Sequence, residues 1–236
     1  MLRIYRPVST NWFSQGFGEN KICAKINTDG EAVRPFVLTG KTDGKVCPVG
    51  YAEFYPLLGL FGHPGEDWAT FHGERLYFNV DFPEAGGWHS KDAHDSDGGL
   101  GVDVISNNPV TLNGRTMHIK FRFWHLMNVA KQQDDIVEMG EFLGQCDSTG
   151  ASSGDHVHWC IKWCYPDGAG FNEGDGRQGA FDFRPWFTNV FVLNQIKYDQ
   201  ELGGILTPVQ GLHLSPMEYA KFLILFCKKL AEQFLK

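Results

Sequence analysis

The sequence predicts a mainly β protein built around an antiparallel sheet groove with long loops, and three observations carry that prediction. Glycine (28), proline (11) and aromatic residues (14%) in a chain of 236 give a composition of short strands and frequent turns rather than of a helical bundle. Short runs such as Gly101–Ile105, Thr116–Phe123 and His156–Ile161 alternate at the period of a strand. Asn113-Gly114 stands before the second of these as a strong hairpin signal.

The length allows one good core plus an appendage. A net charge of −7 argues against a general nucleic-acid binder, which needs a basic face. It also argues against long-range attraction to anionic surfaces. No run approaches the length of a membrane-spanning helix. The first ten residues, M-L-R-I-Y-R-P-V-S-T, contain no apolar signal core, so no standard secretory signal is expected. Cys23, Cys47, Cys146, Cys160, Cys164 and Cys227 show no C-x-x-C pairing and are expected to be mostly reduced and buried.

Taken in order, residues 9–20 place an aromatic strand before a glycine-punctuated turn, and residues 21–50 form a hairpin or a long surface loop. Apolar Tyr51–Leu60 leads into Phe61-Gly62-His63-Pro64-Gly65-Glu66-Asp67-Trp68. Pro64-Gly65 opposes a helix there, so the H-x-x-x-D pair belongs to a turn followed by a strand. An imidazole and a carboxylate brought to one point suit zinc, although alone they also fit a surface loop. A short strand from Arg75 to Val80 runs into Asp81–Gly99, which reads as a long polar insert. Its Asp92, Asp95 and Asp97 could supply oxygen ligands to calcium, but the EF-hand spacing is absent. A solvated loop with exposed His89 and His94 is the expectation. Strand Met117–Phe123 delivers Trp124-His125-Leu126, and Asp134–Gln145 reads as a turn with a short strand.

Ser148–Cys160, S-T-G-A-S-S-G-D-H-V-H-W-C, begins as a turn and ends as a strand. On that strand His156 and His158 share a face, with Val157 and Trp159 on the other. Imidazoles about 7 Å apart suit a site in which one binds a metal and the other reaches what the metal binds. Past a Gly/Asp-rich loop at Lys162–Gly179 comes Phe181–Phe187. Ser215-Pro216-Met217-Glu218 is then a well-formed helix start, followed by an apolar stripe from Ala220 to Phe234.

H-x-x-x-D, a strand-end histidine and H-x-H, in that order, resemble the lysostaphin-type (LytM-like) zinc metallopeptidases. Gln15-Gly16-Phe17-Gly18 is similar to that family's opening strand and turn, and Glu138–Gly144 to its V-x-x-G-x-x-I-G strand. Ser148–His158 is similar to its signature, and Asp182–Trp186 to its exit. The resemblance spans roughly residues 9–188 and departs most at 21–60 and 81–99. It implies a zinc metallopeptidase domain at 1–190; the remainder, 191–236, is a C-terminal extension for which the helix start and apolar stripe predict an amphipathic helix at about 216–235. By position, the zinc ligands fall on His63, Asp67 and His158, with water as the fourth. The general-base and transition-state roles fall on His125 and His156.

Three protein ligands and one open position are the catalytic pattern for zinc. Cys160 stands where the family often has a carboxylate, and it is expected to be a buried neighbour rather than a fourth ligand. The implied activity is hydrolysis of peptide bonds in bacterial peptidoglycan, in a phage lysin or virion-associated wall-degrading protein. The runner-up is a non-catalytic virion, assembly or wall-binding module that keeps the fold. Residues 21–60 and 81–99 are expected to border the substrate groove. The terminal helix is expected to support self-association or a virion partner. The expected setting is cytoplasmic synthesis followed by lysis or virion incorporation.

Overall fold

Period-two alternation along the strand His156–Cys164 sorts the molecule into two sides. Val157, Trp159, Ile161 and Trp163 enter a continuous core, while His156, His158, Cys160 and Lys162 face the other way. A computed structural model describes residues 1–30, 32–38, 47–172, 174 and 176–192. The chain divides into two compact units, Met1–Asn194 and Gln195–Lys236. The helix expected at about 216–235, together with Cys227, lies outside the described residues.

In chain order the elements begin with β1 (Arg3–Arg6), β2 (Trp12–Gln15), β3 (Ile22–Ile26), β4 (Ala32–Leu38), β5 (Tyr51–Glu53) and the short helix α1 (Phe54–Leu57). There follow β6 (Glu66–Ala69), β7 (Arg75–Phe78), β8 (Val80–Asp81), β9 (Trp88–Asp92), β10 (Val102–Ser106), β11 (Val110–Leu112) and β12 (Arg115–Trp124). The last are β13 (Leu126–Val129), β14 (Ile136–Val137), β15 (Glu141–Cys146), β16 (His156–Cys164) and β17 (Phe187–Phe191). The central sheet has the order β14-β9-β10-β12-β16-β6-β2, with β11 paired to β12. Three smaller sheets are β17-β1-β8, β13-β15-β7 and β4-β3-β5. Among the described residues, all pairings are antiparallel except that of β1 with β17. The chain is mainly β, as its composition predicts.

Register carries the two-sided pattern across the sheet. Phe123 lies opposite both Trp159 and Val102, and Phe121 opposite Ile161 and Val104, all in the core. Leu76, Phe78, Leu126 and Leu143 close that core from the β13-β15-β7 sheet. Burying each such side chain contributes about 1.5–3 kcal/mol. Among the described residues, no helix is long and apolar enough to cross a membrane.

Two expectations are corrected. The insert Asp81–Gly99 is not a solvated loop: β9 inside it pairs with β10 and β14, burying Trp88 and Ser90. Its polar composition hides this, because Ser90 is satisfied by donating to Gln132 O at 2.5 Å. His89 is half-buried and only His94 of the pair is exposed. Its aspartates cap local backbone: Asp95 Oδ1 accepts from the Asp97 and Gly98 amides, and Asp92 Oδ1 from the His94 amide. The second correction is that Cys23 and Cys47 form a disulfide, with Cα atoms 5.7 Å apart. They are 24 residues apart in sequence, and the β3–β5 pairing brings the two segments together. Cys146, Cys160 and Cys164 are free and buried, as expected.

Candidate active site

The site is assembled along one row of the central sheet. Gln15 on β2 stands opposite Asp67 on β6, Asp67 opposite His158 on β16, and His158 opposite Trp124 on β12. Directly opposed residues in antiparallel strands share a face, so Asp67 and His158 meet without any loop having to fold over. His63 reaches them from the turn before β6. That turn is clipped to residues 18–19, with the His63 amide donating to Glu19 O and the Gly18 amide to His63 O, each at 2.8 Å.

Gly65 makes the approach possible. A Cβ there would stand 2.3 Å from Trp159 O and 3.0 Å from His158 Cε1. Any side chain would therefore push β16 away from the turn that carries His63.

Three potential ligand atoms converge. His63 Nε2 is 2.7 Å from His158 Nδ1 and 3.1 Å from Asp67 Oδ1, and His158 Nδ1 is 3.0 Å from the same oxygen. All three residues are buried, at 2%, 6% and 4% exposure for His63, Asp67 and His158. Tetrahedral zinc with ligands at about 2.0–2.1 Å needs donors separated by about 3.3 Å, so two nitrogens and one oxygen at these spacings fit the ion. Lone pairs pointed at one another also need a shared cation or proton between them. The ring of His63 is oriented by its other nitrogen, Nδ1, which lies 3.3 Å from Gly16 O, the backbone support usual for a ligating histidine. His158 departs from that pattern, since its Nε2 is buried without a hydrogen-bond partner.

Burial opposes ionisation of Asp67, but the surrounding imidazoles of His63, His156 and His158 hold its carboxyl well below the usual range. Burial pushes His158 down to about 4, against the effect of Asp67, so it is held neutral and available as a ligand.

His125 and His156 stand beside this triad. His125 sits between β12 and β13 with φ at +64°, an uncommon conformation for a non-glycine residue that costs of order 1–3 kcal/mol. It is fixed by its amide donating to Gly98 O and by the Asp147 amide donating to its own carbonyl, each at 2.9 Å. This kink turns the ring out of the strand and over the site, 4.5 Å between centroids from His156 and 6.2 Å from His158. Its Nδ1 contacts Thr149 O at 2.7 Å, and His156 Nδ1 contacts Gly154 O at 2.8 Å. A carbonyl oxygen accepts from Nδ1 in both rings, and Nε2 of His156 lies 3.8 Å from Asp67 Oδ1. Burial, then the neighbouring His156 and His158, push His125 down to about 3.

All five residues singled out in the sequence are thus brought to one place. They line a cavity of about 420 Å³ whose walls include Tyr55 and Leu60 from the 21–60 segment and Asp97 from the 81–99 segment. Tyr55 was not found by sequence reasoning. Its hydroxyl accepts from Gln15 Nε2 at 2.8 Å, and its ring lies 5.5 Å from that of His63. No local pattern marks it, because α1 reaches the site through tertiary packing. Lys162, also in the wall, was likewise not singled out. The alternation that pairs His156 with His158 extends to Cys160 and Lys162 and could have found it. Cys160 is fully buried, and burial raises its thiol pKa, which suits a neutral neighbour rather than a thiolate ligand.

No family model and no curated protein matches the chain. Among solved structures it is similar to the catalytic domain of the antimicrobial peptidase lysostaphin from Staphylococcus simulans, with 20% identity over 53% of this chain and 78% of that one (TM-score 0.39). It is also similar to the catalytic domain of the prophage-encoded M23 protein EnpA from Enterococcus faecalis, with 17% identity over 70% and 91% (TM-score 0.43). A chain of the SpoIIQ–SpoIIIAH pore-forming complex matches at 15% identity over 88% and 99% (TM-score 0.43). Peptidases of the LytM/M23 type are thus among its structural neighbours, at TM-scores below 0.5.

Proposed function

We propose that this chain is a zinc-dependent endopeptidase that hydrolyses peptide bonds in bacterial peptidoglycan. One observation supports this reading above the rest. Two buried imidazoles and a buried carboxylate converge on one point, and the rings of two further histidines, each with Nδ1 against a backbone carbonyl, stand beside it. His63, Asp67 and His158 would hold the ion. Zinc so bound would lower the pKa of its water to about 7 and polarise the scissile carbonyl.

His125 and His156, each with Nδ1 held by a backbone carbonyl, can accept a proton at Nε2 from the attacking water and return one to the departing nitrogen. An imidazolium formed on either ring also favours negative charge on the former carbonyl oxygen. The proposal extends to a phage-type lysin or virion-associated wall-degrading protein. Clearing of a bacterial suspension by added protein tests that part.

The direct test is a muropeptide digest read by mass spectrometry. New fragments should appear with the zinc-loaded protein, vanish with a chelator and return when zinc is restored. Intact muropeptides after incubation with zinc-loaded protein would sink the peptidase reading and leave the wall-binding or assembly module.

A further inference from the structure

The sheet face that carries His158 continues past the histidines. Beyond His158 on β16 it presents Cys160 and Lys162, opposite Arg122 and Lys120 of β12, with Asp103 of β10 opposite Arg122. Three cations there stand near one carboxylate, which binds two of them. Arg122 donates to Asp103 through Nε at 2.7 Å and Nη2 at 2.8 Å. Lys120 Nζ donates to Asp103 Oδ2 at 2.7 Å and to Gly168 O at 2.8 Å. The carboxylate is fully used, and Lys162 is left over.

Lys162 is 6% exposed, and among the described residues its ammonium has neither a hydrogen-bond partner nor an ion-pair partner. Burial holds its pKa below the usual lysine range, with Arg122 and Lys120 adding to the effect and Cys160 and Asp103 opposing it. An interior cation without a directly bonded counter-charge is costly. This one is not sealed in the core: it lines the same cavity as His63, Asp67 and His158. The other carboxylates of that cavity, Asp97 and Asp155, belong to the opposite end. Asp155 precedes His156 on the chain, and Asp97 O accepts from the Ala151 amide of the loop before it.

We propose that Lys162 anchors a carboxylate of the peptide substrate and so sets specificity at the far end of the catalytic cavity. The proposal rests on the peptidase reading. Lys162 lies four strand residues from His158, about 13 Å along the strand. The anchored carboxylate therefore belongs a few residues from the scissile bond, as either a side-chain acid or a free C-terminus.

Calorimetry on full-length protein carrying His125→Ala, to suppress turnover, tests this. One wall-derived tetrapeptide is compared in four forms: carboxylates free, C-terminus amidated, side-chain acid amidated, and both amidated. The fully free form should bind at least tenfold more tightly than the fully amidated one, and the single amides identify which carboxylate is held. Lys162→Met on the same background should bring that ratio close to one, and Lys162→Arg should retain most of it. If Lys162→Met does not fold, Lys162→Gln replaces it. Equal affinity of free and amidated peptides, no measurable affinity for either, or a ratio that survives in folded Lys162→Met each overturns the proposal. Binding is read here without turnover, so loss of the anchor and failure of the muropeptide digest remain distinguishable outcomes.

Discussion

The two ends of one strand face on β16 are built with opposite imbalances. Around His158, two imidazole nitrogens and a carboxylate oxygen crowd together within 3.1 Å, a concentration of metal-ligating atoms. Around Lys162, three cations stand near a single carboxylate, Asp103, which binds Arg122 and Lys120 and leaves Lys162 over, an excess of donors. Both ends are buried, where an imbalance is costly, and both open on the same cavity. The difference teaches what each end is built to receive: a cation at one, an anion at the other.

The comparison breaks most severely if the metal-ligating end is dismantled. His63→Ala, Asp67→Ala or His158→Ala should each reduce zinc well below the about one ion per chain expected of the intact site, as read by elemental analysis. Full occupancy in all three would show that the ion is held elsewhere. Next come His125→Ala and His156→Ala, which should keep zinc and fold while losing ~10²–10⁴-fold in hydrolysis. A variant of either that loses zinc as readily as His158→Ala would move that histidine into the ligand set.

The donor-rich end is tested by stability rather than metal. Asp103→Asn removes the carboxylate charge that Arg122 and Lys120 both bind, and should cost about 3–5 kcal/mol in denaturant unfolding, with zinc content little changed per folded molecule. A loss of less than about 1 kcal/mol would mean that these cations are as well solvated as surface ones, which would remove the asymmetry. The smallest effect sharpens the boundary between the ends. Gly65→Ala sets a Cβ 2.3 Å from Trp159 O and 2.8 Å from Cys160 Cβ, an overpacking expected to cost about 1–3 kcal/mol. Because the same Cβ presses on His158, zinc affinity should fall with stability, whereas in Asp103→Asn the two should separate. Titration of zinc into both variants checks this.

Much of the site was legible in the residues because its geometry is local or one strand pairing away. H-x-H on a strand places two rings on one face, and Pro64-Gly65 turns His63 back toward Asp67. The insert at 81–99 was not legible. Its polar strand β9 is stabilised by partners on β10 and β14, and an amphipathic pattern cannot report a polar residue such as Ser90 that is buried because its hydroxyl is satisfied. The Cys23–Cys47 bond was missed for a related reason, since sheet pairing rather than spacing brings the two together.

By itself, the sequence determined the mainly β class and the sidedness of β16, and it singled out five candidate site residues. The class and the sidedness follow from the two-residue repeat of an extended chain and the turn chemistry of proline and glycine, whereas the five candidates follow from the order of H-x-x-x-D, a strand-end histidine and H-x-H read through the family resemblance. Tertiary structure alone decided the rest. Cross-strand register sets Asp67 against His158 and Lys162 against Lys120. The left-handed turn at His125 aims its ring over the triad, and packing brings Tyr55 to the cavity wall. The physical reason is that side-chain direction is fixed within a few bonds, whereas which charges end up sharing a carboxylate depends on residues brought together from distant parts of the chain.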